Sequence, residues 1–234
     1  MPVFGLGEQL IFPPAHLANP DGILAVGGDL QAERLLLAYE NGIFPWYDEE
    51  DPIIWWAPDP RFVLFPADLK VSKSMRQVLR RETFRMSFDQ DFPAVIRQCQ
   101  KTPRPGQRGT WITDAMQQAY IDLHEMGFAH SVEVWQDELL VGGLYGVSLG
   151  NSFFGESMFA HVSNASKAGF ITLVRRLEQE GFQLIDCQVY TKHLESLGAK
   201  EIPREQFMRQ LAESLNNPAH SGNWGTWLST DPIW

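Results

Sequence analysis

HSVEVWQDELLVGGLYGVSLGNSFFGES, residues 130–157, decides the fold class. Polar and apolar residues alternate through HSVEVW, the mark of a half-buried strand, and Asp137–Glu138 supplies a turn into a returning strand, LLVGGLYGVSLG. NSFFGES predicts a third strand. Beyond it, SNASKAGFITLVRRLEQEG has helical periodicity up to Gly181, and FQLIDCQV is an apolar strand with a polar tail. Antiparallel strands followed by one helix and one more strand do not make a regular βαβ repeat, so the expectation is an α+β, mixed-sheet domain.

Upstream of this centre, FVLFP predicts a short strand and residues 72–82 a basic helix. Another helix is expected over 92–101, with Asp91 as its cap and Pro93 in its first turn. Thr113 can cap DAMQQAYIDLHEMG, which stops at Gly127, and a last helix runs from Pro203 to Leu215. Residues 1–60 are different: rich in Pro, Gly and Trp, loop-like except for AERLLLAYENG, a helix closed by Gly42. They read as a small N-terminal domain over a larger domain at 61–234.

Composition narrows the function. With 44% hydrophobic and 21% charged residues among 234, the chain is an ordinary globular one, neither disordered nor fibrous. No apolar run is long enough for a bilayer, and the first twenty residues lack the basic start of a secretory signal, so a cytoplasmic location is expected. Cys99 and Cys187 are far apart, and the six histidines form no HExxH pair, which leaves no disulfide framework and no expected metal. No GxxxxGK[ST], no Rossmann glycine pattern and no GxSxG elbow appears, which argues against NTP-driven or dinucleotide chemistry.

The net charge of −10 hides an asymmetry. From Lys70 to Arg108 there are ten Lys and Arg against Glu82, Asp89 and Asp91, so this segment is +7 and the rest of the chain −17. On a helix, Lys73, Arg76 and Arg80 fall on one face with Arg81 beside them. That pattern is either a solvated face or a phosphate-binding patch on an otherwise acidic protein.

Several residues carry potential chemistry. Gly142, Gly143 and Gly146 lie inside a strand pattern, which implies a bulge baring backbone amides or a tight strand crossing. Glu156 sits among aromatic and thioether neighbours in FFGESMF, where a carboxylate must be paired, exposed or reserved for a cation. Asp186 ends an apolar strand with Gln188 two residues on, a pair that can form a hydrogen-bonded relay or serve structure alone. Trp46, Trp55, Trp56, Trp111, Phe153 and Phe154 lie in or beside loops, where aromatic faces suit a stacked base or apolar side chain as well as a core.

Taken in order, GGDL, GIFPW, DPIIWWAPDPR, KSMRQ, GTWIT, HSVEVW, LVGGLYGV, FFGESMF, NASKAG, LIDCQV and SLGA…EIPR resemble the leucyl/phenylalanyl-tRNA–protein transferases from about Asp21 to Arg204. The resemblance implies a small N-terminal domain joined to a GNAT-like domain, the acyl-CoA N-acyltransferase topology, working without metal or coenzyme. It implies transfer of Leu or Phe, less well Met, from aminoacyl-tRNA to acceptor proteins with N-terminal Arg or Lys, which marks them for degradation by the N-end rule. By motif, Trp46, Trp111, Leu144, Phe153 and Phe170 would receive the aminoacyl-adenosine end. Family members often have Met at position 144 and Leu at 170; both departures here stay apolar.

In that chemistry Asp186 is expected to orient Gln188, Gln188 to hold the incoming amine, and Glu156 to meet the positive charge of the acceptor's basic residue. Backbone amides of the Gly-rich strand are candidates for the oxyanion. Lys73, Arg76, Arg80 and Arg81 would hold the tRNA acceptor stem. Two alternatives compete: a small-molecule N-acetyltransferase, although VSNASKAG lacks the Q/RxxGxG/A pyrophosphate loop, and a tRNA-binding protein without chemistry.

Overall fold

The computed structural model describes residues 3–102, 110–218 and 220–231. The chain begins with β1 (Phe4–Leu6), β2 (Ile23–Gly27), α1 (Ala32–Glu40), β3 (Phe44–Pro45) and β4 (Ile54–Trp56). There follow β5 (Arg61–Leu64), α2 (Lys73–Arg80), β6 (Arg85–Phe88), α3 (Phe92–Lys101) and α4 (Asp114–Glu125). Next come β7 (Ala129–Gln136), β8 (Leu139–Leu149), β9 (Ser152–Ala160), α5 (Ala165–Gln179) and β10 (Leu184–Gln188). The chain ends with α6 (Lys192–Glu195), β11 (Lys200–Ile202) and α7 (Arg204–Leu215).

Two sheets result. The smaller has the order β1-β2-β4-β3, the larger β11-β5-β10-β9-β8-β7-β6. In the larger, β6 to β9 form an antiparallel meander, and α5 carries the chain to β10, which runs parallel to β9. This is the mixed α+β sheet expected, a meander feeding through a helix into a parallel neighbour.

Local chemistry accounts for most boundaries. Asp91 Oδ1 accepts from Ala94 N, Thr113 Oγ1 from Met116 N and Ser72 Oγ from Met75 N, capping α3, α4 and α2. The hairpin turn places both Asp137 and Glu138 at positive φ, as a tight two-residue connection requires. Gly42 ends α1 at φ +69°, and a Cβ there would meet Phe207 at 2.9 Å and the Met208 sulfur at 2.7 Å.

Residues 1–60, read as loop-like around one helix, in fact contain a four-stranded sheet. Its core is continuous with one face of the larger sheet: Leu24, Leu35, Tyr39 and Trp55 join Val63, Tyr145, Phe154 and Phe207 in a single buried cluster. The opposite face packs α2 and α5, with Met75, Leu79, Leu144, Phe153, Leu173 and Ile185 buried together. Phe153 and Phe154, adjacent on β9, thus serve opposite faces, as the pleat dictates. The C-terminal segment, which carried no signal in the sequence, closes the β6 side: Trp224 stacks on His130 at 3.8 Å, and its backbone N donates to Asp89 Oδ2 at 2.7 Å.

Candidate active site

A cavity of about 600 Å³ opens where β8, β9 and β10 meet the N-terminal lobe and the first turns of α5 and α6. Trp46, Trp111, Leu144, Phe153 and Phe170 all line it, and so do Glu156, Asp186 and Gln188. Trp46 comes from the segment after β3, Trp111 from the approach to α4, Leu144 from β8, Phe153 from β9 and Phe170 from α5, so five separate segments deliver its apolar wall.

Glu156 reaches the cavity through a bulge. Tyr145 pairs with Ser157 but Gly146 pairs with Gly155, which leaves Glu156 as the extra residue on β9. Gly146 is required sterically, since a Cβ there would stand 2.2 Å from Phe154 O and 2.5 Å from the Phe153 ring. Gly142 and Gly143 are likewise crowded, by Ala165 at 2.7 Å and Val132 O at 2.8 Å. Close packing therefore explains these glycines.

The Glu156 carboxylate accepts from Tyr39 Oη at 2.7 Å, Gln188 Nε2 at 2.7 Å and Tyr120 Oη at 3.0 Å, while the two phenolic oxygens lie 2.5 Å apart. Burial pushes Glu156 up to about 7; the three hydrogen bonds pull the other way and nearby Asp186 adds to the rise. Both phenols are raised well above their usual range, first by burial and next by the Glu156 charge, so they remain protonated donors.

Asp186 has different company. Arg61 grips it with Nε at 2.8 Å and Nη2 at 2.6 Å, both side chains being buried, and Nη1 donates to Gly42 O at 3.1 Å. The guanidinium is sandwiched between Phe44 and Phe207, 4.7 and 4.6 Å from the ring centroids. Asp186 Oδ1 also accepts from the backbone N of Gln188 at 2.9 Å. Gln188 sits at φ +62°, where the β10–β5 register shifts, so strict alternation fails and its side chain turns to Glu156. Asp186 thus contacts Gln188 through the main chain, and the side-chain relay runs from Gln188 to Glu156.

Cys187 also lines the cavity, but burial pushes its thiol far above the usual range, so it is no thiolate nucleophile at neutral pH. Among the described residues no group of His, Cys, Asp and Glu is arranged to hold a metal ion, and no helix is long and apolar enough to cross a membrane.

On α2, Lys73, Arg76, Arg80 and the following Arg81 are all exposed, and none has an ion-pair partner among the described residues. The helix buries Met75 and Leu79 in the same cluster as Phe170 and Leu173 of α5. One helix, α5, therefore carries an aromatic wall of the cavity and seats the basic ridge. Arg104 and Arg108, counted in the basic segment, lie outside the described residues.

Sequence reasoning missed Arg61, Tyr39 and Tyr120. Each had a faint signal: a lone cation opening an apolar strand, and phenols amid the apolar residues of helices, where a buried hydroxyl needs a partner.

Comparison with known proteins agrees with this picture. Residues 63–212 match the leucyl/phenylalanyl-tRNA protein transferase family, and residues 28–59 match the N-terminal domain of the same family. Relatives named leucyl/phenylalanyl-tRNA–protein transferase include one from Syntrophus aciditrophicus, 58% identical over 97% of this chain and 95% of its own. One from Azotobacter vinelandii is 59% identical over 91% and 94%, and one from Myxococcus xanthus 52% over 99% and 100%. Among solved structures, L-PGS from Bacillus licheniformis matches at 13% identity and a TM-score of 0.39, over 74% of this chain and 57% of that one. A GCN5-related N-acetyltransferase from Kribbella flavida matches at 10% identity and a TM-score of 0.33, over 71% and 59%. Those two likenesses are too loose to bear on chemistry. The full-length relatives are not, and they show that the chain belongs to the leucyl/phenylalanyl-tRNA–protein transferase family.

Proposed function

We propose that this protein transfers leucine or phenylalanine, and methionine less well, from aminoacyl-tRNA to the N-terminal Arg or Lys of acceptor proteins in the cytoplasm. The product is a peptide bond whose new N-terminal residue is a degradation signal. The observation that carries this reading is one cavity of about 600 Å³ lined by all five apolar residues that the family resemblance implies for the aminoacyl-adenosine end, together with Glu156, Asp186 and Gln188; Trp55, Trp56 and Phe154 do not line it.

Each wall has a role. Trp46, Trp111, Leu144, Phe153 and Phe170 take the amino-acid side chain and the terminal adenosine; such a wall discriminates coarsely, because a methylene is worth only about 1–3 kcal/mol there. Glu156 supplies the negative charge that favours a cationic acceptor. Gln188, with Nε2 committed to Glu156, offers Oε1 to an amine N–H. Asp186 positions Gln188 through its backbone. Lys73, Arg76, Arg80 and Arg81 hold the acceptor stem by its phosphates, independent of anticodon.

The substrate ester is already activated, and a neutral α-amine is within about 1 kcal/mol at pH 7, so holding the two reactants in register is the larger contribution, roughly 7–11 kcal/mol at its upper end. The test is to incubate the protein with labelled leucyl-tRNA and a peptide beginning with Arg. Labelled peptide without acetyl-CoA is expected. Acetyl transfer, or tRNA binding alone, would replace this reading with one of its rivals. Charge reversal of Lys73, Arg76 and Arg80 to Glu is expected to weaken tRNA binding and flatten its salt dependence, by up to about 0.9 in log–log slope for each stem phosphate left without its cation.

A further inference from the structure

We infer that Glu156, Tyr39 and Tyr120 act as one proton-accepting unit that takes a proton from the α-ammonium of the acceptor. This rests on the transferase reading above and adds to it the atom where the proton goes.

Three oxygen–oxygen contacts close a ring: Tyr39 to Tyr120 at 2.5 Å, Tyr39 to Glu156 Oε1 at 2.7 Å and Tyr120 to Glu156 Oε2 at 3.0 Å. Each contact needs a proton, and the two phenols supply two. With Glu156 ionised, one contact sets lone pairs against each other. A third proton on the carboxyl completes the ring, each group then donating once and accepting once. Such a site, partly buried on the cavity wall, takes up a proton by reversing one phenol–carboxylate contact and filling the phenol–phenol one.

The surroundings leave that proton to the ring. From β10 come Gln188, which donates to Glu156 Oε1, and Asp186, whose charge faces Arg61 on β5. From β8, Tyr145 packs edge-on against Tyr120 at 5.5 Å. Ser157 of β9, Cys187 of β10 and His193 of α6 share the cavity wall. Among the described residues no cation pairs with Glu156, and burial, with the Asp186 charge adding to it against the three hydrogen bonds, raises its titration to about 7, beside the α-amine's own range.

The reaction then balances. The α-ammonium gives one proton to the Glu156 carboxylate and becomes a neutral amine. Its lone pair forms the C–N bond to the ester carbonyl carbon, the bond from that carbon to the ribose oxygen breaks, and the second amine proton ends on the ribose oxygen. Glu156 later returns its proton to solvent.

The productive pairing is ammonium with carboxylate, so kcat/KM for an Arg peptide at saturating leucyl-tRNA is expected to be bell-shaped in pH. The acidic limb should lie at about 7, and the basic limb near about 7.7–8, where the free amine titrates. Tyr39→Phe and Tyr120→Phe each remove a donor that stabilises the carboxylate, so each should move the acidic limb up by about one pH unit and leave the basic limb in place. Glu156→Gln should lose the acidic limb and slow turnover roughly 10²-fold. Infrared difference titration gives a readout independent of activity: a protonated-carboxyl band that appears as pH falls through 7, absent in Glu156→Gln and displaced in the two Phe variants. Variants that transfer leucine with an unmoved acidic limb, or a wild type without that band, overturn the proton-accepting unit and leave the transferase reading intact. A wild type that transfers no leucine at any pH overturns both.

Discussion

Asp186 and Glu156 stand on the floor of one cavity, linked through Gln188, and their neighbourhoods differ in kind. At the β5–β10 end a guanidinium fork, itself held between two phenylalanine rings, meets Asp186. At the β9 bulge only phenols and an amide meet Glu156. The contrast teaches that the chemical class of the neighbour, more than depth, decides what a carboxylate can do: a full countercharge makes a fixed strut, whereas neutral donors leave a group that exchanges protons near pH 7.

The contrast can be attacked from either side, beginning with the strut. Arg61→Met strands Asp186 without its countercharge and is expected to cost about 3–5 kcal/mol in denaturant unfolding. Adding Asp186→Leu should recover most of that stability but not activity, because Gln188 then lacks the acceptor for its backbone N–H. A double variant as unstable as the single one would show that the strut is more than charge satisfaction.

Glu156→Gln tests the other side through stability. Glu156 is raised in the folded state, so from the usual carboxylate range up to about 7 the folded protein binds the extra proton. Its contribution is therefore favourable at low pH and fades as pH rises through that window, by at most about 1.4 kcal/mol per pH unit. The difference between wild type and Glu156→Gln, followed from pH 5 to 8, should shift in favour of the variant up to about pH 7 and level off above it. A difference that stays flat would erase the contrast between the two carboxylates.

The smallest change expected in stability is at the link between them. Gln188→Met removes the amide donated to Glu156 while keeping the backbone contact to Asp186, at a stability cost of about 1 kcal/mol. Leucine transfer should fall while tRNA affinity stays the same. Undiminished transfer would free Gln188 from the role of amine holder.

How much of this was legible in the sequence depended on range. The meander at 129–160, the Asp91 and Thr113 caps and the Gly42 and Gly127 stops each carry their signal within a few residues. Strands β1 to β4, β6 and β11 have between two and five residues, too few for periodicity, and exist only by pairing with distant partners. The site divides the same way. Glu156, Asp186 and Gln188 stood out as polar groups on apolar strands, but their partners are remote: Arg61 is 125 residues from Asp186, and Tyr39 is 117 from Glu156. The Asp186–Gln188 contact runs through the main chain, a detail that regular alternation does not anticipate because Gln188 is at positive φ.

The clasp formed by Trp224 has a consequence for the order in which the molecule is made. Asp89 accepts from His130, from Ser131 N and from Trp224 N, and the indole covers the imidazole. While a nascent chain is still emerging, β6 and β7 are complete long before residue 224 leaves the ribosome. Until then the rim of the sheet has a wet aspartate and an uncovered histidine ring. Consolidation of that rim therefore waits for residue 224, and a polypeptide released before it would remain unfinished along that edge.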